Sequence, residues 1–301
     1  MRLRLLACCY NDPEMRIDPD TVYPIRPDCR DDAPKTRFKP RGVHPTIKGE
    51  VWEFLLGCYD PKSTTEQCNQ LRQQRRLEYE QLKAKCREMD TAVGSGRVIT
   101  MPVVTEDGQP IENPNGGASG SEQKNSGAPL PKEVIDWKLT LHQIGLDVNR
   151  TDRLLVYYER QENLARLWDI LAVYSWIDKD IGYCQGMSDL CSPISIILEN
   201  EADAFWCFER LMRRVRGNFK STSTSIGVRA QLTTLSTIMK SVDPKLHEHL
   251  ENLDGGEYLF AFRMLMVLFR REFSFVDTMY LWEVSCLDKK VIINFISSAY
   301  Y

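Results

Sequence analysis

The chain lacks any apolar run near the roughly 20 residues that span a bilayer. The one signal-like start, Met1-Arg2-Leu3-Arg4-Leu5-Leu6-Ala7-Cys8-Cys9, meets Asn11 and Asp12 too early to be a secretory leader. It also lacks a dominant sign of charge: 39 basic residues against 42 acidic ones leave a net charge of −3, so the whole chain carries no electrostatic footprint for nucleic acid. Its ten cysteines include no C-x-x-C pair and no Cys/His spacing that would clamp a metal, and they read as reduced, mostly buried thiols of a cytosolic protein. Cys8 and Cys9 beside Arg2 and Arg4 read as a frayed terminus, not as an acylation site.

Enzyme signatures are missing too. There is no G-x-x-x-x-G-K-[ST], no G-x-S-x-G and no H-E-x-x-H. The four histidines, His44, His142, His247 and His249, have no partner at a diagnostic spacing, and His247 and His249 fall on different sides of a helix. Cys184 has no indicated base to make it a nucleophile. No repeat at a solenoid period is visible.

What is present is an ordinary globular composition, 43% hydrophobic and 27% charged, arranged with helical periods. Residues 1–40, rich in Pro, Asp and Arg from position 11 on, read as an extended lead-in to a domain over 41–301. From Pro45 to Leu56 the apolar Ile47, Val51 and Leu55 recur every four positions, and Gly57 supplies a stop. A second helix opens at Ser63-Thr64-Thr65-Glu66, with Ser63 as cap and Glu66 reaching back, and runs to about Met89. Its basic cluster, Arg72 to Arg76, reads as a solvated helix face, because no aromatic platform is interleaved.

Residues 91–131 are rich in Gly and Pro and poor in large apolar groups, which predicts a disordered insertion. Helical stripes resume with Val134, Trp137, Leu141 and Ile144. They continue with Leu164, Leu167, Trp168 and Leu171, then with Met187, Leu190, Cys191, Ile194 and Leu198, and then with Phe205, Phe208, Leu211 and Met212. Val228, Leu232, Leu235, Met239 and Val242 follow, and Phe262 to Phe269 is apolar nearly all round. No convincing strand interrupts them, so the expected fold is an all-α, irregular bundle of about ten helices or more.

Two polar spots interrupt these apolar helices. Asp147 and Arg150 sit three apart just after a helix end, where they can face each other across a turn. Tyr183 and Gln185 lie in Gly182-Tyr183-Cys184-Gln185-Gly186-Met187, a glycine-bracketed loop that can thrust a side chain outward. Taken singly, Arg150 reads as a surface ion-pair partner of Asp147 and Gln185 as a capping amide. Offered together from a rigid helical scaffold, an arginine and a glutamine are the two groups that GTP hydrolysis uses. One neutralises charge on the transferring phosphoryl group, and the other orients the attacking water.

With these residues in hand, the sequence resembles the TBC domain of Rab GTPase-activating proteins, particularly plant members similar to yeast Gyp7. The I-x-x-D-x-x-R motif stands as Ile144, Asp147 and Arg150, and the Y-x-Q motif as Tyr183 and Gln185. The opening motif resembles Gly42-Val43 through Val51-Trp52 and Leu55-Leu56-Gly57, with Lys48 where arginine is commoner. Ala204 to Phe208, Asp243-Pro244 and Phe260 to Phe273 are later family-like stretches, with Met264 where tryptophan is commoner. The resemblance covers roughly residues 40 to 284.

The resemblance implies a catalytic pair, Arg150 as an arginine finger and Gln185 as a glutamine finger, supplied in trans to a GTP-bound Rab partner. Asp147 and Tyr183 would support the two fingers. The chain would need no cofactor or metal of its own, since GTP and Mg²⁺ belong to the Rab. It would act in the cytoplasm with no turnover of its own, peripheral on endomembranes through Rab. The other reading is a non-catalytic Rab-binding scaffold. The stretch 285–301 resembles nothing in the family, which implies a truncated C-terminus. Within it, Val291 to Ile296 has the pattern of an aggregation-prone segment.

Overall fold

A computed structural model describes Tyr23, Pro24, Arg26 and residues 42–111, 130–220 and 227–287, the last with side chains to Val284. The lead-in, apart from those three residues, lies outside the described part, as do residues 288–301 with Val291 to Ile296. Among the described residues there are ten α-helices: α1 (Pro45–Leu55), α2 (Thr65–Met89), α3 (Lys132–Val148), α4 (Gln161–Ile177), α5 (Met187–Ile197), α6 (Glu201–Val215), α7 (Gly227–Val242), α8 (Pro244–Asn252), α9 (Phe262–Met266) and α10 (Phe275–Leu287). Extended pairing among the described residues is confined to isolated bridges: Val104 pairs antiparallel with Pro110, and Leu155 sits in another, where the Arg26 amide donates to the Leu154 carbonyl and the Val156 amide to that of Pro24. The fold is all-α, as the periodicities predict.

Helix α4 is the axis of the bundle. An amphipathic helix buries one stripe, but α4 buries every residue from Leu167 to Ser175, and α2, α3, α5 and α6 pack around it. The predicted stripes meet there: Trp137, Leu141 and Ile144 of α3, Met187, Leu190 and Ile194 of α5, and Phe205 and Phe208 of α6 all belong to one core. Trp168 donates its indole N–H to the Leu141 carbonyl and Trp137 donates to that of Ala172, so the two helices exchange bonds across their interface. A satellite core of Val228, Leu232, Met239, Tyr258, Ala261 and Leu265 sits under α7 and α8.

Of the described helices, the last holds the first. Glu283 of α10 is buried and accepts from Lys48 Nζ at 2.5 Å, from the Trp52 indole at 2.9 Å and from the Val43 amide at 2.9 Å. The opening motif is therefore read by a carboxylate more than two hundred residues away.

Four expectations need correction. The cap of α2 is Thr64 with Gln67, one residue later than Ser63 with Glu66. Thr64 Oγ1 accepts from the Gln67 amide and the Gln67 side chain accepts from the Thr64 amide, and both frames look equally good in sequence. The cluster Arg72 to Arg76 is not a solvated face. Arg72 pairs with Glu53 at 2.7 Å, Arg75 donates to the Cys58 carbonyl and Arg76 pairs with Asp203 at 2.6 Å, so these side chains fasten α2 to α1 and α6. The all-round apolar run Phe262–Phe269 makes only the short α9. Leu268 and Phe269 take left-handed backbone, and Phe262 is exposed.

The fourth correction concerns the insertion. Residues 112–129 lie outside the described part, but 91–111 are built into the domain. Val93 and Val104 are buried, Val98 and Ile99 pack on the main core, and the Gly94 amide donates to Asp169 of α4 at 2.8 Å. Gly145 of α3 explains the seat: a Cβ there would come 1.8 Å from the Ile99 carbonyl oxygen. Most of the apolar residues of this stretch are put to use, with Met101 and Ile111 left exposed. Replacing 112–129 by a short Gly-Ser linker should leave one cooperative melt, because closure entropy grows slowly with loop length. Extending the deletion through Val98 and Ile99 should lower the melting temperature by about 5 °C or more, as several buried side chains are lost. A pair of thermal melts checks both.

Candidate functional site

Helix α3 ends because Asn149 stops the periodic pattern, and the chain turns at once: the Arg150 amide donates to the Asp147 carbonyl and the Thr151 amide to that of Val148. This turn presents the Arg150 side chain at the surface, 56% exposed, while Asp147 stays buried beneath it. The Asp147 carboxylate accepts from Arg150 Nη2 at 2.5 Å through one oxygen and from the Tyr183 hydroxyl at 2.6 Å through the other. Burial, reinforced by that bond to Asp147, pushes the Tyr183 hydroxyl well above the ordinary tyrosine range, so it remains a donor.

Tyr183 and the exposed Gln185 belong to the loop that opens α5. Gly186, the cap residue, has φ +102°, a conformation that side chains avoid, and a Cβ there would meet Val267 at 2.8 Å. The loop can therefore turn sharply against the 267–271 segment with Gln185 at its outer edge. A second bond closes the arrangement from below: the Thr151 hydroxyl lies 2.8 Å from that of Ser188 and donates to the Asp147 carbonyl at 2.7 Å.

One buried carboxylate thus ties together two loops that are 36 residues apart in the chain. Three of the four residues singled out in the sequence meet at this spot, Asp147 and Tyr183 bonded to each other and Arg150 on the same carboxylate, while Gln185 is exposed two residues from Tyr183 on its loop. The arrangement holds a guanidinium and an amide at the surface of a rigid body. Among the described residues no group of three His, Cys, Asp or Glu could hold a metal ion. No described helix is long and apolar enough to cross a membrane.

A family profile described as the Rab-GTPase-TBC domain matches residues 115–300, well over half of the chain. The chain belongs to the TBC-domain family. "Rab GTPase-activating protein 22" of Arabidopsis thaliana is 30% identical over 85% of the chain, and human "TBC1 domain family member 17" is 33% identical over 83%. The chain spans 62% of the plant relative's length and 33% of the human one's. Among solved structures, the Ypt/Rab-GAP domain of Gyp1p superposes with a TM-score of 0.60 at 20% identity, covering 85% of this chain and 73% of that one, which shows a shared fold. The stretch 285–300, read as foreign to the family, falls inside the matched range.

The structure also shows neighbours that sequence reasoning left unassigned. Ser188 and Asp189 lie in the first turn of α5, with Asp189 accepting from Arg271 at 2.6 Å, and Asp152 accepts from Ser192 and Arg270. The signal available was the Arg270-Arg271 pair at the end of an apolar run, where two charges are out of place. Their partners lie 118 and 82 residues away, beyond the reach of local patterning.

Tyr183→Phe isolates one bond of this TBC-domain site. The substitution keeps the ring but leaves one Asp147 oxygen without its donor, so stability should fall by about 1.5–3 kcal/mol, the range for a hydrogen bond to a charged group. A urea unfolding curve with unchanged slope and a lowered midpoint is the expected result.

Proposed function

We propose that this chain activates GTP hydrolysis on a Rab-type small GTPase in its GTP-bound state, supplying Arg150 and Gln185 in trans. The observation that carries the reading is the single buried carboxylate, Asp147, which fixes the Arg150 turn and, through Tyr183, the loop bearing Gln185. Arginine and glutamine are the residue types that phosphoryl transfer uses to neutralise transition-state charge and to orient the attacking water. The exposure of both side chains suits a substrate held by another protein. Asp147 and Tyr183 act by holding the fingers. The nucleotide and Mg²⁺ come with the Rab, so the chain needs no cofactor of its own. It works from the cytoplasm and meets endomembranes through the Rab. The name of the Arabidopsis relative, a Rab GTPase-activating protein, agrees with this reading.

A panel of GTP-loaded Rab proteins, with phosphate release followed in the presence and absence of the full chain, tests it. Acceleration of at least one Rab is the expected result. Binding of a GTP-loaded Rab without acceleration of any would leave the scaffold reading in its place.

A further inference from the structure

Asp152 lies two residues beyond Arg150, and its environment goes beyond what the finger motifs require. Its backbone is left-handed, φ +48°, and it is not glycine. A side chain stays in that region when its surroundings over-determine it. Here the surroundings are a part-buried hydrogen-bond network around the carboxylate. Ser192 of α5 donates to one Asp152 oxygen at 2.5 Å and Arg270 donates to the other, with Arg270 only 8% and Asp152 14% exposed. The Tyr158 hydroxyl in turn lies 2.8 Å from Ser192 Oγ. The Arg270 guanidinium also sits over the Phe275 ring, 5.2 Å from its centre. The segment supplying Arg270 is itself constrained, with Leu268 and Phe269 both left-handed just before it.

Three pieces of chain converge on this pair: the turn carrying Arg150, helix α5 whose opening loop carries Gln185, and the 267–271 segment against which Gly186 is pressed. We infer that Asp152 and Arg270 form a part-buried positioning pair that sets the register of the Arg150 turn against α5, and so of one finger against the other. The inference rests on the proposed Rab-directed activity for its kinetic consequence, while its structural consequence stands without it. Asp147 holds the finger side chain from its N-terminal side, and Asp152 anchors the backbone from the C-terminal side. The turn is clamped at both ends.

The test uses Asp152→Asn, since asparagine also tolerates the left-handed region and changes chiefly the charge. It also uses the double variant Asp152→Asn/Arg270→Met, which leaves no unpaired buried charge and stands in should the single variant fail to fold. On a responsive GTP-loaded Rab, kcat should fall about 10- to 100-fold in both variants, the scale of a misplaced reacting group, with the KM for the Rab nearly unchanged. The double variant should be no worse in kcat than the single one, because the two residues act as a unit. Independently of any Rab, hydrogen exchange at the Arg150 and Thr151 amides should speed up about tenfold or more in both variants while α4 keeps its protection. If the double variant regains wild-type kcat together with its stability, or if exchange at the turn is unchanged, the pair is structural only and the inference is overturned. If the wild-type chain accelerates no Rab, the functional reading fails, and the exchange experiment still decides whether the pair fixes the turn.

Discussion

Arg150→Lys is expected to lose stimulated GTP hydrolysis almost as completely as Arg150→Ala, by about 10³-fold or more, the range arginine fingers supply. Charge alone does not account for the residue. In the resting chain Arg150 presents one nitrogen to Asp147 and keeps more than half of its side chain exposed, so the planar fork remains available for phosphoryl oxygens. A lysine ammonium can pair with Asp147 but offers a point charge on a flexible stem, without the fixed multi-donor geometry. In Arg150→Lys stability should hardly change, because the ammonium can still pair with Asp147 and a pair exposed on one side is worth little. Gln185→Ala should remove most of the stimulation as well, without unfolding. The decisive partner is a Rab whose own switch glutamine is replaced by alanine. If Gln185 orients the water, that Rab is still substantially stimulated. Loss of stimulation there, with Gln185→Ala harmless on the normal Rab, would reduce Gln185 to a loop residue and leave Arg150 acting alone.

Glu283→Ala should be the most destabilising single change described here, costing about 3–5 kcal/mol, the range for removing one partner of a buried ion pair. Lys48 would stay buried with its charge uncompensated, and the Trp52 indole and the Val43 amide would lose their acceptor at the same time. Lys48→Met/Glu283→Gln should recover much of the loss, since neither residue then carries a buried charge. Denaturant unfolding of the three proteins gives the comparison directly. A Glu283→Ala midpoint within about 1 kcal/mol of wild type would show that α1 is held by apolar packing and that the ion pair is incidental.

The helices were legible because burial follows the 3.6-residue period, and α3 shows this in its simplest form: Val134, Trp137, Leu141 and Ile144 are the buried residues the stripe names. Where the period was right and the structure still differed, a tertiary contact decided. Arg72 to Arg76 look like solvent charges until Glu53, Cys58 and Asp203 are placed beside them. The run after Phe262 has the apolarity of a long buried helix. Yet its backbone turns left-handed at Leu268 and Phe269, where the segment supplies Arg270 to Asp152. Val93, Val98 and Ile99 show the limit of composition: a Gly- and Pro-rich stretch can still be anchored by three or four apolar residues when a glycine, Gly145, opens a seat for its backbone.

At the site, the four motif residues were legible by type and spacing, because Asp147 and Arg150 are neighbours on one turn and Tyr183 and Gln185 on one loop. That the two motifs share a carboxylate could not be read, since nothing local encodes a contact across 36 positions. Asp152 and Arg270 were invisible for the same reason at greater range.

The bond from Val43 to Glu283 spans 240 positions, and Lys48 and Trp52 wait on the same carboxylate. During synthesis α1 therefore leaves the ribosome without the acceptor for Lys48 and for the Trp52 N–H, and that acceptor is made only with α10. Folding from the N-terminus inward, the usual order for a nascent chain, cannot complete this molecule. Helix α1 can dock on α2, α5 and α6 as they are made, but a chain stopped before position 283 would hold it without the carboxylate that locks Lys48 and Trp52 in place.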